Sequence, residues 1–148
     1  MTSPETVGLL VRDLMSNNVI SCRGDADLAS VAATLAQRRV HAVFVLDDGG
    51  RPVGVLSDFD LLAGEWLGGD AEGLRAMQGV TAGELMSSPV ETIGAGESAS
   101  AAAARMRELH LSRLLVTDGD GAAVGVISVS DLVAPLGRPS GGRAGHRQ

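Results

Sequence analysis

The feature that most constrains this chain is that most of its sequence is written twice. Shifting it by 71 residues lays Val11–Leu62 on Ala82–Val133 without a gap, and fifteen of the 52 pairs are identical. Composition alone would give roughly three to five. The identities fall in blocks: Leu14-Met15-Ser16 on Leu85-Met86-Ser87, Val53-Gly54-Val55 on Val124-Gly125-Val126, Ser57 on Ser128, and Asp60-Leu61 on Asp131-Leu132. Whatever one copy folds into, the other must fold into as well. At 148 residues the chain buries enough surface for a core without disulfides or metal.

Each copy reads as β-α-β-β-α. A helical turn near Val11–Ser16 precedes a brief strand at Val19–Cys22. Asp25 and Asp27 then signal the start of an Ala/Leu-rich helix running to about Arg38. The apolar run Ala42–Leu46 is too short for a helix and reads as a buried strand. Asp47-Asp48-Gly49-Gly50 turns the chain into Pro52–Leu56, making a hairpin, and a last helix covers about Asp58–Leu67. The second copy repeats this with strands at Val90–Ile93, Arg113–Thr117 and Ala123–Ile127 and helices at Ser98–Leu109 and Val129–Leu136. A unit this small cannot cover its own sheet. The expected fold is therefore α/β, with the two repeats related by a pseudo-twofold axis and ligand crevices at the strand ends. The expected organisation is a first repeat over 7–67, a linker or frayed helix over 68–80, a second repeat over 81–136 and a flexible basic tail over 137–148.

Composition excludes several chemistries. All 12 cations are Arg, so there is no Schiff-base lysine and no P-loop lysine. Cys22 stands alone and His41, His110 and His146 lack metal-ligand spacing. A net charge of −6 and only three aromatics (Phe44, Phe59, Trp66) argue against nucleic acid. No apolar run approaches the roughly 18 residues of a membrane helix, and no basic segment precedes an apolar stretch at Met1–Val11. The expectation is a cytoplasmic protein with neither a membrane span nor a catalytic kit.

Gly54-Val55-Leu56-Ser57-Asp58-Phe59-Asp60 and Gly125-Val126-Ile127-Ser128-Val129-Ser130-Asp131 resemble the Gly-φ-φ-(Ser/Thr)-x-x-Asp signature of the cystathionine β-synthase (CBS) domain, whose tandem pair is called a Bateman module. The resemblance extends to Leu14-Met15, Leu85-Met86, Pro89-Val90-Glu91-Thr92, and Asp47 and Asp118, and covers about residues 7–136. It implies a non-enzymatic regulatory module for an adenosyl ligand: AMP, ADP, ATP or S-adenosylmethionine. It further implies sites shared between repeats. Site A would use Ser128 and Asp131 with Val19, Ser21 and His41, and site B would use Ser57 and Asp60 with Val90, Thr92 and Arg113. The motif Asp would accept the ribose hydroxyls. Phe59 and Ser130 stand where the family often has a cation, and neither copy has the complete His-Arg pair, so the grip on phosphate is reduced. Asp58 adds a second carboxylate near site B, which makes site A the favoured one.

Simpler readings stand beside these. Ser-x-x-Asp at a strand end is also a helix capping box worth about 1 kcal/mol. A module with empty crevices would serve only for dimerisation. Gly94-Ala95-Gly96-Glu97-Ser98-Ala99 fits a dinucleotide fingerprint, with Glu97 unfavourable beside a pyrophosphate. Asp118-Gly119-Asp120-Gly121 reads as a hairpin turn because the remaining calcium ligands are missing. Ser57, His41 and Asp60 lack a nucleophile elbow. Phe59, Leu62, Ala63 and Trp66 follow helical i, i+3, i+4, i+7 spacing, and with the resemblance this implies a homodimer. The regulated partner has no signature in the sequence.

Overall fold

The structure, a computed structural model, describes residues 8–62 and 71–137. Its elements run α1 (Val11–Leu14), β1 (Ser21–Arg23), α2 (Leu28–Arg38), β2 (Ala42–Leu46), β3 (Pro52–Ser57), α3 (Asp58–Leu61), α4 (Ala71–Gln78), α5 (Ala82–Leu85), β4 (Thr92–Gly94), α6 (Ala99–Leu109), β5 (Arg113–Thr117), β6 (Ala123–Ser128) and α7 (Val129–Val133). A 3-10 turn, Ala134–Gly137, follows. The fold is mixed α/β with two three-stranded sheets, ordered β1-β2-β3 and β4-β5-β6. In each sheet the first pairing is parallel, bridged by an 11-residue helix, and the second is an antiparallel hairpin.

Local chemistry explains these boundaries. The Asp27 and Ser98 side chains cap α2 and α6 by accepting from Ser30 N and Ala101 N. Both helices end on a left-handed residue, Arg39 and His110. Asp47 Oδ1 accepts the backbone N–H groups of Gly49 and Arg51, each at 2.9 Å, and Asp118 Oδ1 accepts those of Asp120 and Ala122. These are the tight hairpin turns expected from the sequence. Residues 71–78, expected as a linker or frayed helix, form α4, which packs Met77 against a core, and the segment after it adds Val80.

Two compact units result, and they do not coincide with the sequence repeats. One holds residues from Ile20 to Val90; the other holds the described residues up to Val19 together with those from Glu91 onward. The helical turn that opens each repeat docks on the sheet of the other repeat. In the first unit α5 is tied down by Ala82 N to Ala26 O (2.7 Å) and Gly83 N to Gly24 O (2.8 Å), and Ser87 exchanges two hydrogen bonds with Val55. In the second, Val11 N reaches Glu97 O (2.8 Å), Arg12 N reaches Ala95 O (3.1 Å), and Ser16 exchanges two hydrogen bonds with Val126. Each turn then lays a methionine over a strand glycine. A Cβ on Gly54 would strike the Met86 thioether, and one on Gly125 would lie 2.6 Å from Met15 Sδ. The cores follow the same plan: Leu28, Val31, Leu35, Val43, Val45 and Leu56 in one unit, and Val11, Met106, Leu114, Val116 and Ile127 in the other.

Candidate functional site

β3 and β6 end in Ser57 and Ser128, which keep extended backbone (φ −102°, ψ 166° and φ −118°, ψ 167°) while already capping the helix that follows. Ser57 Oγ accepts Asp60 N at 3.2 Å, and Asp60 Oδ2 accepts Ser57 N at 2.7 Å and Ser57 Oγ at 3.0 Å. Ser128 and Asp131 reproduce this at 3.2, 2.8 and 3.0 Å. The capping box is therefore present in both copies. It occupies Oδ2 and, among the described residues, leaves Oδ1 of both half-buried aspartates with nothing donating to it. Since a carboxylate oxygen can accept two hydrogen bonds, Oδ1 alone can take a vicinal diol while the cap stays intact. Capping and ligand binding do not compete.

Within the unit from Ile20 to Val90, Ala42 pairs with Ser57, so His41 lies one step beyond the ladder beside Asp58. Asp58 N donates to His41 O (2.8 Å), and His41 Nδ1 lies 2.9 Å from Asp58 Oδ2. The His41 ring is 91% exposed, so this pair contributes little to stability. Ser21 opens β1 opposite Phe44, and Val90 is half-buried before β4. In the other unit Arg113 opens β5 as the partner of Ser128, Thr92 opens β4 opposite Leu115, and Val129 N donates to Ser112 O at 2.9 Å. Val19 belongs to this unit as well. The ladders thus set Ala42 beside Ser57, with His41 beside Asp58, and Arg113 beside Ser128. The residues expected for site A divide into Val19, Ser128 and Asp131 on one unit and Ser21 and His41 on the other. Those for site B divide into Ser57, Asp60 and Val90 against Thr92 and Arg113. The His41–Asp58 pair was legible only in part: both residues stand out in the sequence, but only the β2–β3 register couples them.

Two other expectations are settled by contacts. The dinucleotide reading of Gly94–Ala99 fails. The start of α6 is covered by the opening turn, with Ala99 N donating to Leu9 O (2.9 Å), while Ala95 N donates to Thr117 O (2.8 Å), Glu97 N to Gly94 O (3.0 Å) and Ala101 N to Ser98 Oγ. A pyrophosphate would find these groups taken. Burial pushes the half-buried Cys22 thiol above its ordinary 9.0, which keeps it protonated and a poor nucleophile or ligand. Among the described residues no cluster of His, Cys, Asp and Glu could hold a metal, and no helix is long and apolar enough to cross a membrane. Of the apolar stripe on the last helix of the first repeat, Ala63 and Trp66 lie outside the described residues. Phe59 and Leu62 are 78% and 54% exposed.

The geometry, two hairpin-bearing sheets each ending in a Ser-x-x-Asp cap, defines a tandem module of two like α/β units. The chain belongs to the CBS domain family, whose model matches residues 11–65 and 82–137. It is similar to the inosine-5'-monophosphate dehydrogenases of Mycobacterium bovis and Mycobacterium tuberculosis, 32% identical over 120 residues, which is 80% of this chain and 21% of the enzymes. It thus spans about a fifth of the length of these curated relatives. Among solved structures it is similar to CBSX2 in complex with AMP (26% identity, TM-score 0.72, covering 87% of this chain and 96% of that one). It also resembles the CBS domain of a CBS domain containing membrane protein from Sphaerobacter thermophilus (26%, 0.73, 86% and 88%).

Proposed function

We propose that this chain is a regulatory module that binds an adenosine-containing ligand, performs no catalysis, and passes the bound state to a partner. The observation that carries the reading is the pair of capping boxes that hold Asp60 and Asp131 rigidly while leaving Oδ1 of each open. The complex of CBSX2 with AMP supports an adenosyl ligand. Asp131 is the favoured ribose acceptor: the residue after Ser128 is Val129, whereas Asp58 follows Ser57 and sets a second carboxylate beside Asp60. Val19, Ser21, His41, Val90, Thr92 and Arg113 complete the proposed set of ligand-contacting residues. Sparse cations favour a ligand of low charge, so S-adenosylmethionine stands beside AMP, ADP and ATP. The lone protonated Cys22 suits a reducing, cytoplasmic setting. The module works as a homodimer, a reading supported by the exposure of Phe59 and Leu62.

A thermal-shift panel of AMP, ADP, ATP, S-adenosylmethionine and NAD tests this. A ligand at 100 times its Kd adds about 2.7 kcal/mol and raises the midpoint by several degrees. A flat panel at millimolar concentrations overturns ligand binding in favour of a dimerisation module alone. Turnover of any nucleotide overturns the non-catalytic reading.

A further inference from the structure

We propose that the groove between α6 and α7 is the docking site for a helix of a partner protein, one with an apolar face and an acidic polar face. The proposal goes beyond ligand binding and does not rest on it; it names the kind of partner. The groove has a volume of about 610 Å³. On one side α6 contributes Ala99, Ala103 and Met106, and on the other stand Val129, Val133 and Leu136. The last three are 44%, 53% and 53% exposed, so the described residues leave them uncovered.

The duplication shows what fits such a groove. In the unit from Ile20 to Val90, α4 packs on α2, the counterpart of α6. There Met77 joins a core that includes Leu28, Leu35 and Leu61. These are the counterparts of Ala99, Met106 and Leu132, all of which line the groove. The chain approaches both helices by one route: Val80 O accepts Leu28 N at 3.1 Å, and Leu9 O accepts Ala99 N at 2.9 Å. The 71-residue shift therefore puts residues 1–7 opposite 72–78, most of α4. Thr6 stands where α4 has Met77, and Pro4, which breaks a helix interior, stands where it has Arg75. The groove persists, yet the chain's own sequence at that place lacks what fills its equivalent. A helix from another protein supplies it, laying an apolar stripe into the groove.

Charge sets the partner's polar face. Arg107 lines the groove where the first repeat has Ala36, and among the described residues no carboxylate pairs with it. An Asp or Glu beside the partner's apolar stripe answers that cation.

The probe is a fluorescein-labelled peptide with the sequence of residues 70–80, which includes α4, carrying Arg75→Glu so that its charged residues are all acidic. Fluorescence anisotropy with the full chain should show saturable binding at about 0.15 M salt, where the net charge of −6 is screened beyond about 8 Å. Val133→Asp charges the groove wall and Ala103→Phe fills the groove; each should weaken binding at least about tenfold, as loss of an interface anchor does. Arg107→Glu should weaken it about three- to tenfold. Val133 and Arg107 are exposed, so those two variants keep the fold. No saturation up to about 1 mM overturns the proposal, as does binding indifferent to Val133→Asp and Ala103→Phe. If the chain takes the peptide only after residues 2–7 are deleted, its own N-terminal segment fills the groove. If light scattering shows the mass falling with Val133→Asp, a second copy does. Either result overturns a partner helix. A flat adenosyl panel beside saturable peptide binding strikes the ligand reading and leaves this one standing.

Discussion

Ser57–Asp60 and Ser128–Asp131 close the same capping box, with the backbone bond to the carboxylate at 2.7 Å in one and 2.8 Å in the other, yet their surroundings differ. In the unit from Ile20 to Val90 the residue after the serine is Asp58, paired with His41. In the other unit the same positions hold Val129 and Ser112, which meet only through their backbones. The fold depends on the boxed pair and on the strand glycines under the methionines, so those are duplicated faithfully. The positions between them touch solvent and have diverged in charge.

The largest effects should be alike in both units. Leu56→Ala and Ile127→Ala each remove a side chain with no exposed area from equivalent strand positions, and each should cost roughly 2–5 kcal/mol in urea unfolding. A loss below about 1 kcal/mol in one of them would show that its core is not built as the structure has it.

Ligand affinity should separate the units. Asp131→Ala should lose charge-assisted hydrogen bonds worth about 1.5–3 kcal/mol, a fall of roughly 10- to 150-fold by titration calorimetry. Asp60→Ala should lose much less, although both variants give up the same cap and about 1 kcal/mol of stability. Equal small losses in affinity would leave both aspartates as caps alone. A larger loss from Asp60→Ala would move the ligand to the other capping box.

The methionine-covered glycines sharpen the comparison further. A Cβ on Gly125 would lie 2.7 Å from the Ser16 carbonyl oxygen, which is backbone, whereas the nearest atoms to a Cβ on Gly54 all belong to the flexible Met86 side chain. Gly125→Ala should therefore cost about 2–3 kcal/mol and Gly54→Ala about 1 kcal/mol. Combining Gly54→Ala with Met86→Ala should relieve most of the cost of the glycine substitution, leaving only the Met86 Cβ contact at 3.0 Å. If Gly54→Ala is the costlier of the two, the methionine is not the yielding partner.

The smallest effect concerns the opening turns. Thr81 offers Glu84 both its backbone N–H (2.8 Å) and its hydroxyl (3.1 Å), and these, the backbone bond first, hold the Glu84 carboxyl below its ordinary 4.5. The equivalent turn has Leu10, which offers Asp13 only a backbone N–H at 2.8 Å. A folded-state value below the unfolded one stabilises above pH 4.5, and that contribution is lost as pH falls through the folded value. The stability gap between wild type and Glu84→Gln should accordingly narrow when urea midpoints are taken from neutral pH down to about pH 3. A gap that stays constant would mean that the carboxylate charge is not what Thr81 holds.

The sequence by itself determined the strands, hairpins and caps of the repeats, though not α4, because those depend on contacts within a few residues. Ala42–Leu46 and Arg113–Thr117 are strands where the apolar runs put them, Asp27 and Ser98 start their helices, and the Asp-Gly turns close both hairpins. The 71-residue repeat likewise fixed two sheets of one topology. What only the tertiary structure decided is which opening turn serves which sheet. Leu14-Met15-Ser16 and Leu85-Met86-Ser87 are identical, and so are the Val-Gly-Val strands that receive them, so local chemistry fits either partner equally. The choice rests on long-range closure of the chain, which carries no local signature, and it sent each turn to the sheet of the other repeat. The coupling of His41 to Asp58 is of the same kind: seventeen residues separate them, and only the β2–β3 register brings an imidazole and a carboxylate to one strand end.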